Sequence, residues 1–177
     1  MITETPSLPE GIKQAYDEGK LVVFIGAGIS RLAGCQSWDN LATSLVNNCF
    51  SPAEASLING ATLSSKERIT IAFERAKEAG KLEEYWDTFK NAITPRMNEG
   101  ISVYEVIARL KTLFITTNCD GIMEKYVPAS AWSTQCEPER LESLITPFIF
   151  YLHGRFVDGS EAEKEGLVFT VGSYLQA

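Results

Sequence analysis

The feature that most constrains this chain is a continuous apolar run, Leu21-Val22-Val23-Phe24-Ile25, that stops at Gly26-Ala27-Gly28. A run without polar interruption predicts a strand covered on both faces, as in the middle of a parallel sheet. Two later segments repeat the pattern. Leu113-Phe114-Ile115-Thr116 runs into Thr117-Asn118-Cys119-Asp120, and Pro147 to Leu152 runs into His153-Gly154. Helical patterns separate the three, so the chain is expected to be an α/β protein. Its Rossmann-like parallel sheet would be flanked by helices and joined by right-handed crossovers. Ligands of such sheets bind beyond the carboxyl ends of the strands. If the three strands are neighbours, their small and polar endings meet on one rim.

The helices carry their own punctuation. Ser7-Leu8-Pro9-Glu10 opens one that runs to Glu18, with Gly19 as its stop. Ser37 caps another, whose apolar positions Trp38, Leu41, Ala42, Leu45, Val46 and Cys49 share one face. Ser51-Pro52 starts a short helix. Ser64 and Glu67 form a capping box ahead of Ile69, Ala72, Phe73 and Ala76, and Gly80 ends that helix. Leu82, Tyr85, Trp86 and Phe89 repeat the spacing up to Thr94-Pro95. Together these form a helical layer over about 51–100, inserted between the first and second motif-bearing strands. A helix over 102–110 leads into the second strand, and a short one follows Asp120 toward Tyr126. The acidic stretch from Asp158 to Glu165 reads as a loop, and Leu167 to Thr170 as a fourth, short strand. With no internal repeat or linker, residues 1–177 read as one domain.

Charge and rare residues narrow the chemistry. Sixteen Lys and Arg against 23 Asp and Glu give a net charge of −7. No basic stripe runs along the chain, so neither nucleic acid nor anionic lipid is an expected partner. No segment approaches the ~18 consecutive apolar residues that span a bilayer, and Met1 to Glu10 lacks the pattern of a signal peptide. A cytoplasmic, reduced setting is the expectation. The four cysteines, Cys35, Cys49, Cys119 and Cys136, form no CxxC pair, and there is one histidine. No metal site is expected from that set. Cys49 and Cys136 read as small core residues.

At the rim, Gly26-Ala27-Gly28-Ile29-Ser30 follows the first strand. Glycines permit positive φ and close backbone approach, so amides there could face a pyrophosphate, with Ser30 adding a hydroxyl. The bland alternative is an ordinary strand-to-helix turn. Arg31 stands where the dinucleotide fingerprint needs its third glycine, which argues against a conventional NAD dehydrogenase. Asn118 offers donors and an acceptor to a water or ribose hydroxyl. Asp120 could bind a carboxamide or simply cap the following helix. His153, at a strand end opposite two polar strand ends, is a candidate general base rather than a packed core residue.

The set GAGIS (26–30), G-x-x-SW (34–38), TTNCD (116–120) and YLHG (151–154) resembles the sirtuin fold family. The closer match is its bacterial branch, the silent-information-regulator-like NAD hydrolases of anti-phage defence, and it spans Leu21 to about Tyr174. The resemblance implies a Rossmann-like fold that takes NAD as its substrate and needs no metal. By motif, Gly26, Ala27, Gly28, Ile29 and Ser30 would form the cofactor loop, with Trp38 and Thr117 also in the binding site. Asn118 would position the reacting water or ribose, Asp120 would lie near the nicotinamide, and His153 would be the catalytic base. The implied reaction cleaves the nicotinamide–ribose bond to give ADP-ribose and nicotinamide, in an effector controlled by homo-oligomerisation or a sensor protein partner. Deacetylating sirtuins carry a zinc held by two CxxC pairs, TQN-x-D where Thr117 stands here, and Phe-Arg where Trp38-Asp39 occurs. Those departures favour hydrolysis over protein deacylation or ADP-ribosyl transfer. A non-catalytic NAD- or ADP-ribose-binding or assembly module is the alternative. Sirtuin-like domains also continue beyond the equivalent of Val171–Ala177, so the domain is expected to be incomplete at its C-terminus.

Overall fold

The computed structural model of the chain describes residues 7–96, 103–128, 132–134, 146–170 and 173. Four strands form one sheet: β1 (Val22–Ile25), β2 (Leu113–Thr116), β3 (Trp132–Ser133) and β4 (Phe148–Tyr151). All pairings are parallel, in the order β1-β2-β4-β3. The three apolar runs are therefore adjacent strands. Their register aligns Ile25 with Thr116 and Thr116 with Tyr151, so all three end at the same level. β3 was not foreseen in the sequence. It is two residues long, too short for periodicity to mark.

Helices precede, separate and follow the strands: α1 (Glu10–Asp17), α2 (Ala27–Leu32), α3 (Trp38–Cys49), α4 (Pro52–Gly60), α5 (Ser65–Glu78), α6 (Leu82–Ile93), α7 (Val103–Ala108) and, after β4, α8 (Glu161–Glu165), with a 3-10 turn at Ile122–Lys125. The serine caps and glycine stops read from the sequence are local and most hold, although α1 starts after Pro9 with no side-chain cap and the helix expected after Asp120 is a 3-10 turn. Ser37 Oγ accepts from Asn40 N at 3.1 Å. Ser64 and Glu67 form the reciprocal box, as do Ser51 and Glu54. Gly19 and Gly80 sit at φ +67° and +68°, where only glycine turns the chain without strain.

Two cores result. One face of the sheet, with Ile25, Phe114, Ile149 and Tyr151, packs on Tyr104 and Ala108 of α7 and on Ile122 and Met123. The other belongs to α3, α4, α5 and α6, where Leu41, Leu45, Ile69, Tyr85 and Phe89 are buried. This helical core also takes in Cys119, Phe156, Leu167 and Phe169, which follow β2 and β4. The bundle is thereby joined to the carboxyl end of the sheet. Aromatic rings make the joint: Phe89 stacks on Phe169 at 4.9 Å, and Trp86 on Phe156 at 5.5 Å. The buried Arg68 of α5 pairs with Asp39 and donates to Thr43 and Asn59, tying α5 to α3 and α4.

Three expectations are corrected. β1 is the outer strand of the described sheet, and Val22 and Phe24 are 48% and 61% exposed, so it is not covered on both faces. Its alternate residues Val23 and Ile25 carry the burial. Leu167–Thr170 is not a strand. Leu167 and Phe169 insert into the aromatic cluster, and Val168 N donates to His153 O at 3.0 Å. The acidic loop contains α8, capped by Ser160, whose hydroxyl accepts from Glu163 N. Cys49 lies half-buried against the helical core, whereas Cys136 lies outside the described residues. Among the described residues no helix is long and apolar enough to cross a membrane.

Candidate functional site

Backbone bonds stitch the three strand exits together. Thr117 N donates to Ile25 O (3.4 Å), Leu152 N to Thr116 O (2.9 Å) and Phe156 N to Cys119 O (2.8 Å). Thr116 Oγ1 donates to Ile25 O (3.0 Å) while accepting from Asn118 N (2.9 Å). Asn118 Nδ2 then donates to Gly26 O at 3.0 Å. The loop after α2 is fixed from the other side, because Gln36 N donates to Ala92 O (2.8 Å) and Cys35 Sγ to Ile93 O (3.1 Å).

Between these walls lies a small, partly open cavity of about 30 Å³, lined by Ala27, Ser30, Trp38, Ile93, Asn118 and Asp120 together with Cys35, Gln36, Leu41 and Cys119. Five of the residues expected at a site, namely Ala27, Ser30, Trp38, Asn118 and Asp120, thus share one space. The others lie around it. Ile29 packs against the sheet core, Gly26 is the N-cap of α2, and Gly28 lies in its first turn. Thr117 is half-buried between the β1 and β4 exits. His153 is on the same rim, half-buried, and hydrogen-bonded to the Thr117 backbone. It is not among the residues that line this cavity.

Asp120 is the electrostatic centre. It is 7% exposed, and it accepts from Ser30 Oγ at 2.6 Å, from Ile122 N at 3.2 Å and from Tyr104 OH at 3.4 Å. The bond to Ile122 N is the local turn that caps the 3-10 segment, and the Ser30 bond crosses to the first loop. The local-turn reading of Asp120 therefore holds, and the same carboxylate also ties the first loop to the β2 exit. Burial raises its carboxyl above the ordinary 3.8, and the Ser30 and Ile122 donors oppose that rise. The two thiols beside it are inert at neutral pH. Burial, with the Asp120 charge, pushes Cys35 up to about 11 and Cys119 higher still. His153 goes the other way. Its burial and the nearby Lys66 charge hold it below 6.5, partly offset by the bond to the Thr117 backbone. The imidazole is neutral at pH 7 and able to accept a proton.

The glycines of the first loop differ from expectation. Neither Gly26 nor Gly28 has positive φ, and a Cβ on either would meet nothing within 4 Å. The protein's own packing does not demand glycine there. Gly154 is the opposite case, with φ +80° and a Cβ position that would overlap the Gly166 carbonyl oxygen. Its place in the HG pair is structural.

Sequence reasoning missed Tyr104, Gln36, Leu41 and Ile93. Leu41 belongs to the buried face of α3, and it lines the cavity from there. Tyr104 carried one usable signal, a phenol on the buried stripe of a helix, whose hydroxyl must find a partner. Among the described residues, no group of three or more His, Cys, Asp and Glu is arranged to hold a metal ion. No protein-family model matches the chain, and no curated protein matches it.

Proposed function

We propose that this chain is a Rossmann-like, sirtuin-like domain that hydrolyses NAD at the bond between nicotinamide and ribose. The observation that carries the reading is the shared cavity: Ala27 and Ser30 from the β1 exit face Asn118 and Asp120 from the β2 exit, beyond the carboxyl ends of parallel strands. The open space over Gly26 and Gly28 leaves room for a dinucleotide to approach the backbone.

In the reaction the C–N bond between ribose and nicotinamide breaks, and its electron pair leaves with the nicotinamide nitrogen. Water adds to the anomeric carbon, and its proton leaves, giving ADP-ribose, nicotinamide and H⁺. Positive charge develops on the sugar, so fixed dipoles aimed at it should dominate the rate. Asn118 is held by its bond to Gly26 O, with its amide on the cavity wall to orient water or a ribose hydroxyl. His153, neutral at pH 7, is the proton acceptor on the rim. A reduced cytoplasmic setting accords with Cys35, Cys49 and Cys119 as free thiols. Control by self-association or a sensor protein belongs to the same reading.

One observation favours a second reading, a module that binds NAD or ADP-ribose without turnover: His153 lies outside the lining of the cavity. Incubating the purified chain with NAD and following nicotinamide release separates the two. Release that is lost in Asn118→Ala and His153→Ala supports hydrolysis. Calorimetric binding of NAD without release supports the module. Neither binding nor release sinks both.

A further inference from the structure

Asp120 faces the cavity through a hydrogen-bond chain that begins outside it. Tyr104 projects from α7 into the sheet core and is 2% exposed. Its hydroxyl lies 3.0 Å from Ser30 Oγ and 3.4 Å from Asp120 Oδ1. Ser30 Oγ lies 2.6 Å from Asp120 Oδ2. An ionised carboxylate only accepts, so Ser30's one proton is committed to Asp120. The contact between Ser30 and Tyr104 must then be donated by the phenol, whose one proton is shared between Ser30 Oγ at 3.0 Å and the longer contact to Asp120 at 3.4 Å. A hydroxyl that accepts from one partner and donates to another is fixed in direction, and each bond polarises the next.

We infer that Tyr104 is a positioning residue for this cavity, which commits the Ser30 proton to Asp120 and sets the face that the carboxylate presents to a ligand. The inference rests on reading this cavity as the NAD site, but its test does not need turnover. The titratable groups near Asp120 include Tyr104 on α7, Cys35 after α2, Cys119 beside it and Tyr151 on β4, and Lys90 and Lys125 line a second pocket with it. Burial raises these two phenols and two thiols, so none of the four is charged at neutral pH; on Asp120 itself burial is the largest influence, and the hydrogen bonds from Ser30, Ile122 and Tyr104 oppose it.

The experiment is a pH titration of the Asp120 side-chain carboxyl by carbon NMR in the wild-type chain, Tyr104→Phe, Ser30→Ala and the double variant. Tyr104→Phe removes one oxygen from a wholly packed ring, and unchanged circular dichroism certifies its fold. The expected result is an upward shift of the Asp120 midpoint, on the order of one pH unit, and a smaller shift from the same substitution in the Ser30→Ala background. An unchanged midpoint in Tyr104→Phe, or shifts that simply add, overturns the inference, because a tyrosine that only fills space would give either. Should Tyr104→Phe not fold, Ser30→Ala tests the chain from its middle, and an unmoved midpoint there overturns it equally. Nicotinamide release from the same four proteins tests the function separately. A shifted titration in a chain that never consumes NAD sinks the hydrolase reading and keeps this one.

Discussion

Asn118 Nδ2 donates to the carbonyl oxygen of Gly26 across 3.0 Å, and this bond ties the exit of β2 to the exit of β1. The two residues come from opposite sides of the helical layer in sequence, yet the parallel register brings them to one level. The bond uses one of the amide's two donors, and a further side-chain hydrogen bond joins Asn118 to Tyr104.

Replacing Asn118 with Ala removes both bonds. Nicotinamide release is expected to fall by about 100-fold, the loss typical of deleting one preorganised polar group. Asn118→Asp keeps an acceptor but turns a carboxylate oxygen toward the Gly26 carbonyl, so it should be no better. Steady-state rates at saturating NAD check this.

Gly28→Ala should separate stability from binding. Gly28 lies inside α2, and a Cβ there meets nothing. Folding is expected to gain about 0.5–1 kcal/mol, read as a raised denaturant midpoint. NAD affinity should fall in the same protein, because the methyl occupies ground reserved for the ligand. Unchanged affinity by calorimetry would remove the ligand from that loop.

Gly154→Ala should do the reverse of stabilise. A left-handed φ and an overlap with the Gly166 carbonyl both penalise a side chain. A loss near the top of the roughly 1–3 kcal/mol range for backbone strain is expected, with a matching fall in the urea midpoint.

His153 sets a pH dependence. Its folded value lies below the ordinary 6.5, so the folded chain releases the proton before the unfolded chain does. Between the folded value and 6.5 the unfolded state binds more protons. Its contribution to stability is therefore complete above pH 6.5 and lost as pH falls through that window. NAD cleavage should follow the same neutral imidazole, staying flat from pH 8 to about 6.5 and declining only below it. His153→Ala should remove the decline together with most of the rate.

Phe89→Ala is expected to cost about 3–5 kcal/mol, the range for emptying a packed aromatic site. The ring is fully buried against Trp86, Phe156 and Phe169. Urea unfolding followed by tryptophan fluorescence measures it.

What could be read in advance follows a physical division. Ser37, Ser51 and Ser64 announce helices because a cap is settled within three or four residues. The runs ending at Ile25, Thr116 and Tyr151 were legible as neighbouring parallel strands, and with them the rim. Apolarity alone does not say which neighbours exist, so Phe24 was expected to be covered and is exposed. Nor does it distinguish a ladder from an aromatic cluster, and Leu167–Phe169 entered the cluster. Ser160 and Glu163 carried a cap inside what reads as a charged loop. The residues of the site that local pattern could not reach, Tyr104 and Ile93, arrive through tertiary packing.

The stacking of Trp86 on Phe156 and of Phe89 on Phe169 has a thermodynamic consequence. Because these rings fasten the helical bundle to the segments that follow β4, the bundle cannot melt while the rim stays ordered. Occupancy of the cavity should therefore protect a tryptophan that touches no ligand. At a nucleotide concentration of 100 times its dissociation constant, mass action adds about 2.7 kcal/mol to unfolding of the whole unit. Slowed amide exchange along α5 and α6 would register a guest held at the far end of the sheet.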